Sequence, residues 1–479
     1  MEYIVQDRKP SSFFRYFEEI SAIPRASYNE SGIADYLVAF AKSRGLEYYR
    51  DRLNNVLIKA PATAGQEEKN PLLFQGHTDM VCEKKRNVEH DFLRDPLKLR
   101  VDGNLLRADG TSLGADNGVA VAIMLALLDG EIKEHPTYEC LFTATEEPGL
   151  VGALNFDYGR ISSRTMINLD AGNMNIALCC CAGGMCSDLV LPCRMDSFAG
   201  EALRVRIDGL VGGHAGCDIH RGRANANKVM GRLLAELLPT IDARVITLKG
   251  GLKEGAIARE CEMLLSVPDI KAASDILHAS AEAISRELVT EDHAFCVEIE
   301  PIEPCAKMMS REDTARVCAV LDCTVNGVLA MNRRMTYLVE YSRNLGVIYT
   351  KNDCVTFVFY THALREGQLD ATERELEAFA RVVGATVKHY NRYPGWEFAP
   401  TSSLRDAYLR AFRETVGREA LAVGVHAGLE CGIVCSKIPN MDAISLGPNT
   451  YSIHSPDEAL DLESCETFWK ILARLIEIL

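Results

Sequence analysis

Histidine and acidic side chains recur at the points where apolar segments of this chain begin or end. Such points come after "PLLFQG", "YECLFTAT", "TMINL" and "MDAISLGPNTYSI", and just before "NGVAVAIMLALL". The side chains found there are His77, Asp79, Asp116, Glu146, Glu147, Asp170 and His454. One acidic strand end is ordinary, but five such segments are hard to explain without a cation because clustered carboxylates repel one another.

This set of side chains favours particular metals. Two histidines with several carboxylates suit Zn²⁺, Mn²⁺ or Co²⁺ better than Ca²⁺. The number of acidic residues fits two ions that share one carboxylate. Two close divalent ions polarise a carbonyl group and generate hydroxide at neutral pH. The sequence therefore predicts a two-metal hydrolytic centre, with zinc as the expected ion and manganese or cobalt as alternatives.

The spacing within two of these segments is informative. His77 and Asp79 are two residues apart, so both side chains would point the same way on an extended chain. A carboxylate behind an imidazole is the usual support of a metal-bound histidine, although two polar surface residues would give the same pattern. Glu146 and Glu147 are adjacent, so one can bind a metal while the other acts as general base. The alternative is an acidic pair favoured by a helix N-terminus.

Composition excludes several classes of function. The chain has 479 residues, of which 47% are hydrophobic and 25% charged, and this length predicts about three domains. The net charge of −15 argues against nucleic acid or an anionic membrane as a partner. We expect no secretory signal and no membrane span, because the start lacks a basic then apolar pattern and the apolar runs are short. The 17 cysteines, none in a C-x-x-C spacing, predict mostly free thiols in a reducing cytoplasm.

The elements that position these side chains follow from the hydrophobic patterns. Strands alternate with helices in the first part of the chain, which predicts a largely parallel sheet whose carboxyl edge collects the acidic residues. From about residue 190, apolar and polar residues alternate, as in "EALRVRIDGLVGG", and this predicts half-exposed antiparallel strands. We therefore expect an α/β domain over residues 1–190 and 389–479, interrupted by an α+β domain over 191–388. Ser455, Pro456 and Glu458 predict the start of the last helix.

Several motifs together resemble a known family. "GHTDMV", "GADNGVAVA", "TATEEPGLVGA", "INLD" and "IHSPDE", in this order, are similar to segments of the di-metal peptidases related to carnosinase and aminoacylase. The similarity is closest to the Xaa-His dipeptidase branch (aminoacyl-histidine dipeptidases) and covers nearly the whole chain. It implies a catalytic α/β domain with a mostly parallel mixed sheet flanked by helices, interrupted by an α+β lid of the dimerisation type. It also implies a dipeptide substrate and a lid that can pair two copies of the chain.

The resemblance implies a role for each residue of the centre. One metal would be held by His77, Asp116 and Asp170, and the other by Asp116, Glu147 and His454. Asp116 would bridge the two ions, and its peptide bond to Asn117 would be cis. Asp79 would orient His77, and Glu146 would be the general base that takes a proton from the bridging water and passes it to the leaving amine.

The resemblance also implies residues that contact the substrate. His214, in "GGHAG", would stabilise the tetrahedral oxyanion from the lid when the two domains close. Asn344 and Arg365 would grip the substrate carboxylate, and Gly428, in "HAGLECG", would lend backbone N–H groups. Two segments depart from the family pattern: "LDAGNMN" lacks the further acidic residues after Asp170, and "THALREG" lacks the usual Arg-Ser pair. The first departure leaves metal affinity and substrate preference open, and the second weakens the assignment of Arg365.

Three alternatives remain open on the sequence. "GTSLG" fits the nucleophile elbow of serine hydrolases, with Ser112 as nucleophile, but "ADNG" intervenes before the helix that such an elbow requires. An N-acyl amino acid deacylase would use the same metals, and a non-catalytic binding protein could keep the same scaffold. The prediction that we adopt is a cytoplasmic di-metal dipeptidase acting on Xaa-His or carnosine-like dipeptides.

Overall fold

The computed structural model describes residues 3–5, 7–197 and 200–479. The chain forms two compact units. The first unit comprises Met1–Cys181, Trp396–Gly424 and Leu429–Leu479, and the inserted unit comprises Ala182–Gly395 and Val425–Gly428. Each unit is built around its own cluster of buried hydrophobic residues.

The secondary structure of the described residues alternates between helices and strands. The helices are α1 (Ser11–Ser21), α2 (Ser31–Ser43), α3 (Ala115–Leu128), α4 (Val151–Asn155), α5 (Ala226–Leu237), α6 (Ile270–Ser285), α7 (Arg311–Cys323), α8 (Glu366–Val383), α9 (Ser403–Val416), α10 (Glu430–Lys437) and α11 (Leu462–Ile478). The strands up to the inserted unit are β1 (Glu47–Arg50), β2 (Val56–Ala60), β3 (Leu72–His77), β4 (Leu99–Asp102), β5 (Leu105–Ala108), β6 (Tyr138–Thr143), β7 (Thr165–Asn168) and β8 (Ile176–Cys181).

The remaining strands follow in chain order. They are β9 (Gly183–Pro192), β10 (Met195–Asp196), β11 (Glu201–Asp208), β12 (Gly213–His214), β13 (Arg244–Gly250), β14 (Ala256–Ile257), β15 (Cys261–Val267), β16 (Cys296–Ile302), β17 (Met308–Met309), β18 (Gly327–Met331), β19 (Val339–Lys351), β20 (Cys354–Ala363), β21 (Thr386–Tyr393), β22 (Leu421–Val425), β23 (Asp442–Ser445), β24 (Thr450–Tyr451) and β25 (Ala459–Asp461).

The first unit contains the predicted mixed sheet. Its strand order is β1-β2-β6-β3-β7-β23-β8-β22, and the neighbours β6, β3, β7 and β23 run parallel. In register, His77 lies opposite Thr143, and Asn168 lies opposite both Gln75 and Ser445. The four parallel strands therefore end close together at one edge of the sheet. The predicted α/β architecture with flanking helices is confirmed.

Helix α3 packs against β3 and α1 in the core of this unit. Its apolar sequence predicts a helix buried on every side, and nearly all of its residues are buried. Gly76, the penultimate residue of β3, lies where a Cβ would come within 2.3 Å of the Ala120 Cβ and 2.4 Å of the Asn117 Oδ1. The backbone N–H of His77 donates to that same Asn117 oxygen at 3.1 Å. The absence of a side chain at Gly76 therefore lets the start of α3 approach the end of β3.

The inserted unit is an antiparallel α+β structure, as predicted. Its main sheet has the order β16-β11-β15-β13-β19-β20-β9-β21, with β18 paired to β19. The strand pairs in this sheet are antiparallel. Strand β9 pairs with β20 and β21 along its length, so residues 183–192 belong to this sheet. The boundary drawn near residue 190 from the alternating pattern falls inside this strand.

The prediction for the start of the last helix is wrong. Helix α11 begins at Leu462, and the Asp461 side chain caps it by accepting from the Ser464 N–H. Residues 459–461 form β25, which pairs with β5. The apparent capping box at Ser455 therefore lies in a loop, and its Glu458 accepts backbone N–H groups of the segment that leads into α3.

Two further expectations concern the whole described chain. All 17 cysteines are unpaired thiols, as the absence of paired spacings predicts. Among the described residues, no helix combines the length and the apolar character that a membrane crossing needs.

Replacing Gly76 with Ala should destabilise the fold, because the new Cβ would overlap with Ala120 and Asn117. Overpacking a core costs roughly 1–3 kcal/mol. Gly367→Ala in α8 is the control, since an added Cβ there has no described atom within 4 Å and should be neutral or slightly stabilising. Urea denaturation of both variants measures the difference. Equal unfolding midpoints would contradict the close packing of β3 on α3.

Candidate active site

His77 is the last residue of β3 and lies at the centre of the acidic cluster. Its side chain is buried, with Nε2 at 3.1 Å from Asp116 Oδ1 and 3.8 Å from Asp170 Oδ1. Burial opposes the charged form of the imidazole. The hydrogen bonds to Asp116 and Asp79 and the charges of Glu146 and Asp170 nevertheless raise the pKa of His77 well above its ordinary value. Parallel pairing of β3 with β6 and β7 brings Glu146 and Asp170 near this ring, and the start of α3 brings Asp116.

Asp79 connects His77 to the segment that carries the two glutamates. Its Oδ1 lies 3.4 Å from His77 Nδ1 and accepts the Glu146 backbone N–H at 2.9 Å. Its Oδ2 accepts from the Ser27 hydroxyl at 2.7 Å and from the Glu147 N–H at 3.3 Å. Burial alone would raise the pKa of Asp79, but the hydrogen bonds from His77, Glu146 and Ser27 hold it below its ordinary value. Asp79 is therefore a charged anchor for both strand ends.

Asp116 lies between the two histidines of the cluster. Its Oδ1 contacts His77, and its Oδ2 lies 3.3 Å from His454 Nε2. The same His454 nitrogen is 3.3 Å from Glu147 Oε2. The peptide bond between Asp116 and Asn117 is cis. Hydrogen bonds to Asp116 and Glu147 raise the pKa of His454 to about 10.

Glu146 and Asp170 complete the acidic cluster. Burial raises the pKa of Glu146 well above its ordinary value, and the charges of Asp170 and Glu147 add to this rise against the opposing charge of His77. Burial also raises the pKa of Asp170 well above its ordinary value, with the neighbouring charge of Asp116 as the next cause. These carboxylates thus lack sufficient positive charge from the protein itself.

The donor set fits divalent cations. Three groups have ligand atoms that all lie within 4.8 Å of one another: His77 with Asp116 and Asp170, Asp116 with Glu147 and His454, and His77 with Glu146 and Glu147. The buried Oε1 of Glu147 has no hydrogen-bond partner among the described residues. Imidazole nitrogens with carboxylate oxygens are the ligands of borderline ions such as Zn²⁺ and Mn²⁺. Two of the groups share Asp116, so the residues present can hold two ions bridged by one carboxylate.

Two supporting residues were not predicted from the sequence. Arg25, although fully buried, donates through Nη1 to the carbonyls of Thr78 and Asp79 and through Nη2 to that of Gly114. Glu458 accepts the backbone N–H groups of Leu113, Gly114 and Asp116 at 2.7, 2.9 and 3.2 Å. Together they fix the loops that present Asp79 and Asp116. Arg25 lies in the segment "SAIPRASYNE" near the start of the chain, but an isolated arginine carries no signal of burial.

A buried polar network lies beneath the ligand segments. Glu430, at the start of α10, accepts from the Thr143 hydroxyl at 2.7 Å and from the Gln75 side-chain amide. Gln75 in turn accepts from the Asn168 amide at 2.6 Å. Burial raises the pKa of Glu430 to about 7. The network links β3, β6 and β7 just before each strand delivers its ligand.

The remaining predicted site residues lie in the inserted unit. His214 has an exposed side chain, and its Nδ1 accepts the backbone N–H groups of Gly216 and Cys217 at 2.9 and 3.0 Å. A nitrogen that accepts two N–H groups carries no proton, so the proton of the neutral ring is on Nε2. His214 is therefore held as a hydrogen-bond donor through Nε2.

The other predicted substrate-binding residues are Asn344, Arg365 and Gly428. Asn344 is buried and donates both amide hydrogens, to the carbonyls of Glu254 and Ala256 at 3.1 and 2.8 Å. Arg365 pairs with Glu340 at 3.2 Å, and its side chain is 60% exposed. At Gly428, an added Cβ would lie 2.8 Å from the Tyr393 ring. The donors of Asn344 are thus engaged within the inserted unit, and the charge of Arg365 has an acidic partner.

Ser112 has the contacts of a structural residue. Its hydroxyl is buried, donates to the Val81 carbonyl at 2.6 Å and accepts the Glu83 N–H at 3.1 Å. These bonds tie the loop before α3 to the segment after Asp79. The hydroxyl therefore serves the backbone, in agreement with a glycine-rich loop that leads into the ligand segment.

Comparison with known proteins agrees with this geometry. The family model described as Peptidase family M20/M25/M40 matches residues 73–478. The chain belongs to this peptidase family. The resemblance drawn from the motifs is thereby confirmed.

Relatives of this M20 peptidase have related activities in their names. The cytosol non-specific dipeptidase of Escherichia coli (strain K12) is 33% identical over 478 residues, covering 98% of this chain and 97% of its own. The crystal structure of aminoacylhistidine dipeptidase from Vibrio alginolyticus matches with a TM-score of 0.87 and 33% identity, over 98% of this chain and 97% of that one. An aminopeptidase from Bacillus cereus matches with a TM-score of 0.55 at 16% identity, over 98% and 99% of the two chains, and shares the fold alone.

The M20 centre should couple stability and metal binding to pH through His454. In the metal-free protein its pKa is raised to about 10 from 6.5. The stabilisation from its contacts is therefore complete below pH 6.5 and is lost progressively as the pH rises toward 10. A metal needs the neutral imidazole and displaces this proton, so metal affinity should rise over the same range.

The expected result is a metal-free Tm that falls between about pH 6.5 and 8.5, while the increase in Tm on adding Zn²⁺ or Mn²⁺ becomes larger. Differential scanning calorimetry at several pH values, with and without metal, measures both trends. His454→Gln is the control and should weaken both dependences. A metal-induced increase in Tm that is the same at every pH would contradict the role of His454.

Proposed function

We propose that this chain is a metal-dependent dipeptidase that cleaves Xaa-His and similar dipeptides. The observation that carries the proposal is the pair of ligand groups that share Asp116, with a further carboxylate, Glu146, beside them. The names of the two relatives at 33% identity support the same activity. The proposal includes zinc as the resident metal, a cytoplasmic location like that in the name of the E. coli relative, and pairing of two copies through the inserted unit.

The proposed ligand sets divide the cluster between two ions. His77, Asp116 and Asp170 would hold one, and Asp116, Glu147 and His454 the other. Bound there, divalent ions would supply Lewis acidity toward the scissile carbonyl and the attacking water. Asp79 would keep His77 oriented, because it contacts Nδ1 of the ring whose Nε2 faces the other ligands.

Glu146 is the proposed general base. Asp79 holds its backbone N–H at 2.9 Å, so the carboxylate starts from a fixed point beside the ligand Glu147. Glu146 would accept a proton from the attacking water and then donate it to the nitrogen of the leaving amine. A carboxyl group whose buried surroundings favour the protonated form is suited to hold that proton between the two steps.

His214 is the proposed donor to the oxyanion. Negative charge develops on the carbonyl oxygen as water adds to the scissile carbon. A donor that is already oriented stabilises this charge without reorganising at the moment of reaction. The two backbone N–H groups on Nδ1 orient the ring and keep its proton on Nε2.

The proposal is tested by hydrolysis of Ala-His and β-Ala-His. We expect turnover by the purified protein, loss after EDTA treatment, and recovery with Zn²⁺, Mn²⁺ or Co²⁺, the ion giving the highest rate being the preferred one. N-acetyl amino acids are tested in parallel. Turnover of these alone would indicate a deacylase, two bound metals without any turnover would indicate a binding protein, and activity that survives complete metal removal would contradict the proposal.

Glu146→Gln should reduce kcat by roughly 10²- to 10⁴-fold, because the amide cannot accept the proton. Metal content should stay at the wild-type value, since Glu146 is outside both proposed ligand sets. The matched control is Glu147→Gln, which removes a proposed ligand and should lower metal content. Steady-state kinetics and elemental analysis measure the two effects. A Glu146→Gln protein that loses metal while Glu147→Gln retains it would reverse the two assignments.

A further inference from the structure

The proposed general base Glu146 follows a residue with an unusual backbone conformation. Thr145, two residues after the end of β6, has a φ of 54°, in the left-handed region that favours glycine. Among the described non-glycine residues with positive φ, it alone has a β-branched side chain. A left-handed β-branched residue is rare and unfavourable, and it persists where the surrounding structure enforces it. Thr145 therefore needs contacts that hold it in this conformation.

The conformation of Thr145 matters because of the two glutamates that follow it. Successive side chains of an extended strand point to opposite faces. Glu146 and Glu147 nevertheless both have a carboxylate oxygen within 4.8 Å of a His77 nitrogen. The backbone must therefore leave the extended conformation as it reaches these glutamates, and it does so at Thr145. The left-handed turn at Thr145 thus sets the direction in which Glu146 starts.

The Thr145 side chain is held by Glu30, a residue 115 positions earlier in the chain. The Thr145 hydroxyl donates to Glu30 Oε1 at 2.6 Å, and the Tyr28 backbone N–H donates to the same oxygen at 3.0 Å. Glu30 is 2% exposed. It directly precedes α2, but in the described part of the chain its carboxylate makes no capping bond to that helix. The Glu30 carboxylate thus serves a distant residue instead of its own helix.

The segment that carries Glu30 also contacts the other anchor of the general base. The Ser27 hydroxyl donates to Asp79 Oδ2 at 2.7 Å, and Asp79 Oδ1 accepts the Glu146 backbone N–H at 2.9 Å. One short segment therefore holds Glu146 in two ways. It acts through Asp79 on the N–H of Glu146 itself, and through the Thr145 hydroxyl on the residue before it.

We propose that Glu30 is a positioning residue for the general base and acts through the hydroxyl of Thr145. This inference rests on the proposed dipeptidase function and adds to it a residue outside both proposed ligand sets. With the hydroxyl bond formed, Thr145 stays left-handed and Glu146 keeps its place beside the ligands. Without the bond, relaxation of Thr145 toward a negative φ moves Glu146 away from the attacking water. A misplacement of about 1 Å can cost about 100-fold in rate.

The first test measures kcat and KM for Ala-His at saturating metal. Glu30→Ala should lower kcat by roughly 10- to 100-fold with little change in KM, because the base is displaced and the substrate contacts are kept. Thr145→Val removes the hydroxyl of the same bond and should have the same effect. Glu30→Gln keeps the acceptor oxygen, and Thr145→Ser keeps the donor, so both should stay close to wild type. Elemental analysis should show the wild-type metal content in every variant.

A double-mutant cycle tests the coupling between Glu30 and Thr145 by a readout other than activity. Glycine adopts a positive φ without strain, so Thr145→Gly removes the need for the Glu30 contact. Thr145→Gly should therefore raise the Tm more in the Glu30→Ala background than in the wild-type background. The double variant should also have a higher kcat than Glu30→Ala alone. Differential scanning calorimetry and steady-state kinetics on the four proteins measure both effects.

Asp442→Ala is the matched control. The Asp442 carboxylate also accepts hydroxyl groups, from Ser402 and Ser403. It begins β23, whose other end lies opposite the end of β7 at the ligand edge. Asp442→Ala should therefore lower the Tm without changing kcat. A loss of kcat as large as that of Glu30→Ala would show that both variants act through general destabilisation, and would refute the positioning role.

Each other outcome decides against one of the two proposals. Wild-type kcat in Glu30→Ala, or a loss of kcat that lost metal fully explains, would refute the positioning role and leave the dipeptidase function intact. Additive changes in Tm would refute the coupling through Thr145 in the same way. Failure of the wild-type protein to cleave any dipeptide with any metal would refute the dipeptidase function itself, and this inference with it. If Glu30→Ala does not fold, Thr145→Val tests the same bond.

Discussion

Mutual repulsion among clustered, largely buried carboxylates is the constraint on which the rest of this structure depends. Glu146 and Asp170 have pKa values raised well above the ordinary range by burial and by neighbouring negative charge. Such groups stay together only if the surrounding fold holds them there and if cations balance them. The parallel strands β3, β6 and β7 meet the first condition, because they bring separate acidic segments to one edge. Divalent metals would meet the second.

The cost of this arrangement explains the density of supporting contacts. Asp79, Arg25 and Glu458 each bind backbone groups of the ligand loops, so the loops are fixed without using the ligand side chains themselves. Beneath the ligand segments, Glu430 and Gln75 connect strands β3, β6 and β7. Removing any of these groups would leave a buried partner unsatisfied, which is more costly than the bond itself is worth. The stability of the ligand loops therefore depends on the supporting residues as much as on the ligands.

In the inserted unit, the His214 side chain is oriented in a different way from that of His77. His214 is oriented through Nδ1 by two backbone N–H groups, which select its tautomer. The choice fits a group that must donate a hydrogen bond while neutral, because a carboxylate partner would favour the charged ring. Burial and neighbouring histidines lower the pKa values of His362 and His426, and no acidic group is among the causes of either shift. Carboxylates thus raise the pKa values of His77 and His454, whereas burial lowers those of His362 and His426.

Much of this protein could be predicted from local patterns. The ligand segments at His77, Asp116 and Asp170 were evident because each of these residues follows or precedes an apolar run. Parallel topology then requires the strand ends at His77 and Asp170 to converge. Helix α3 was predicted from its uniformly apolar sequence, and the antiparallel insertion from alternation. The start of the last helix was mispredicted at Ser455, because Glu458 satisfies distant backbone N–H groups instead of its own turn.

The sequence by itself determined which segments carry ligands. It also determined whether a segment belongs to the parallel sheet and its helices or to the antiparallel insertion, since both depend on residue type and periodicity over short distances. Only the tertiary structure decided that Arg25 and Glu430 are buried supports, that His214 carries its proton on Nε2, and that the buried ring of His362 lies beside it. Each of these depends on groups far apart in the chain or on the exact position of backbone atoms. A hydrogen-bonding residue has the same identity whether its partner is water, backbone or substrate, and only the folded chain distinguishes them.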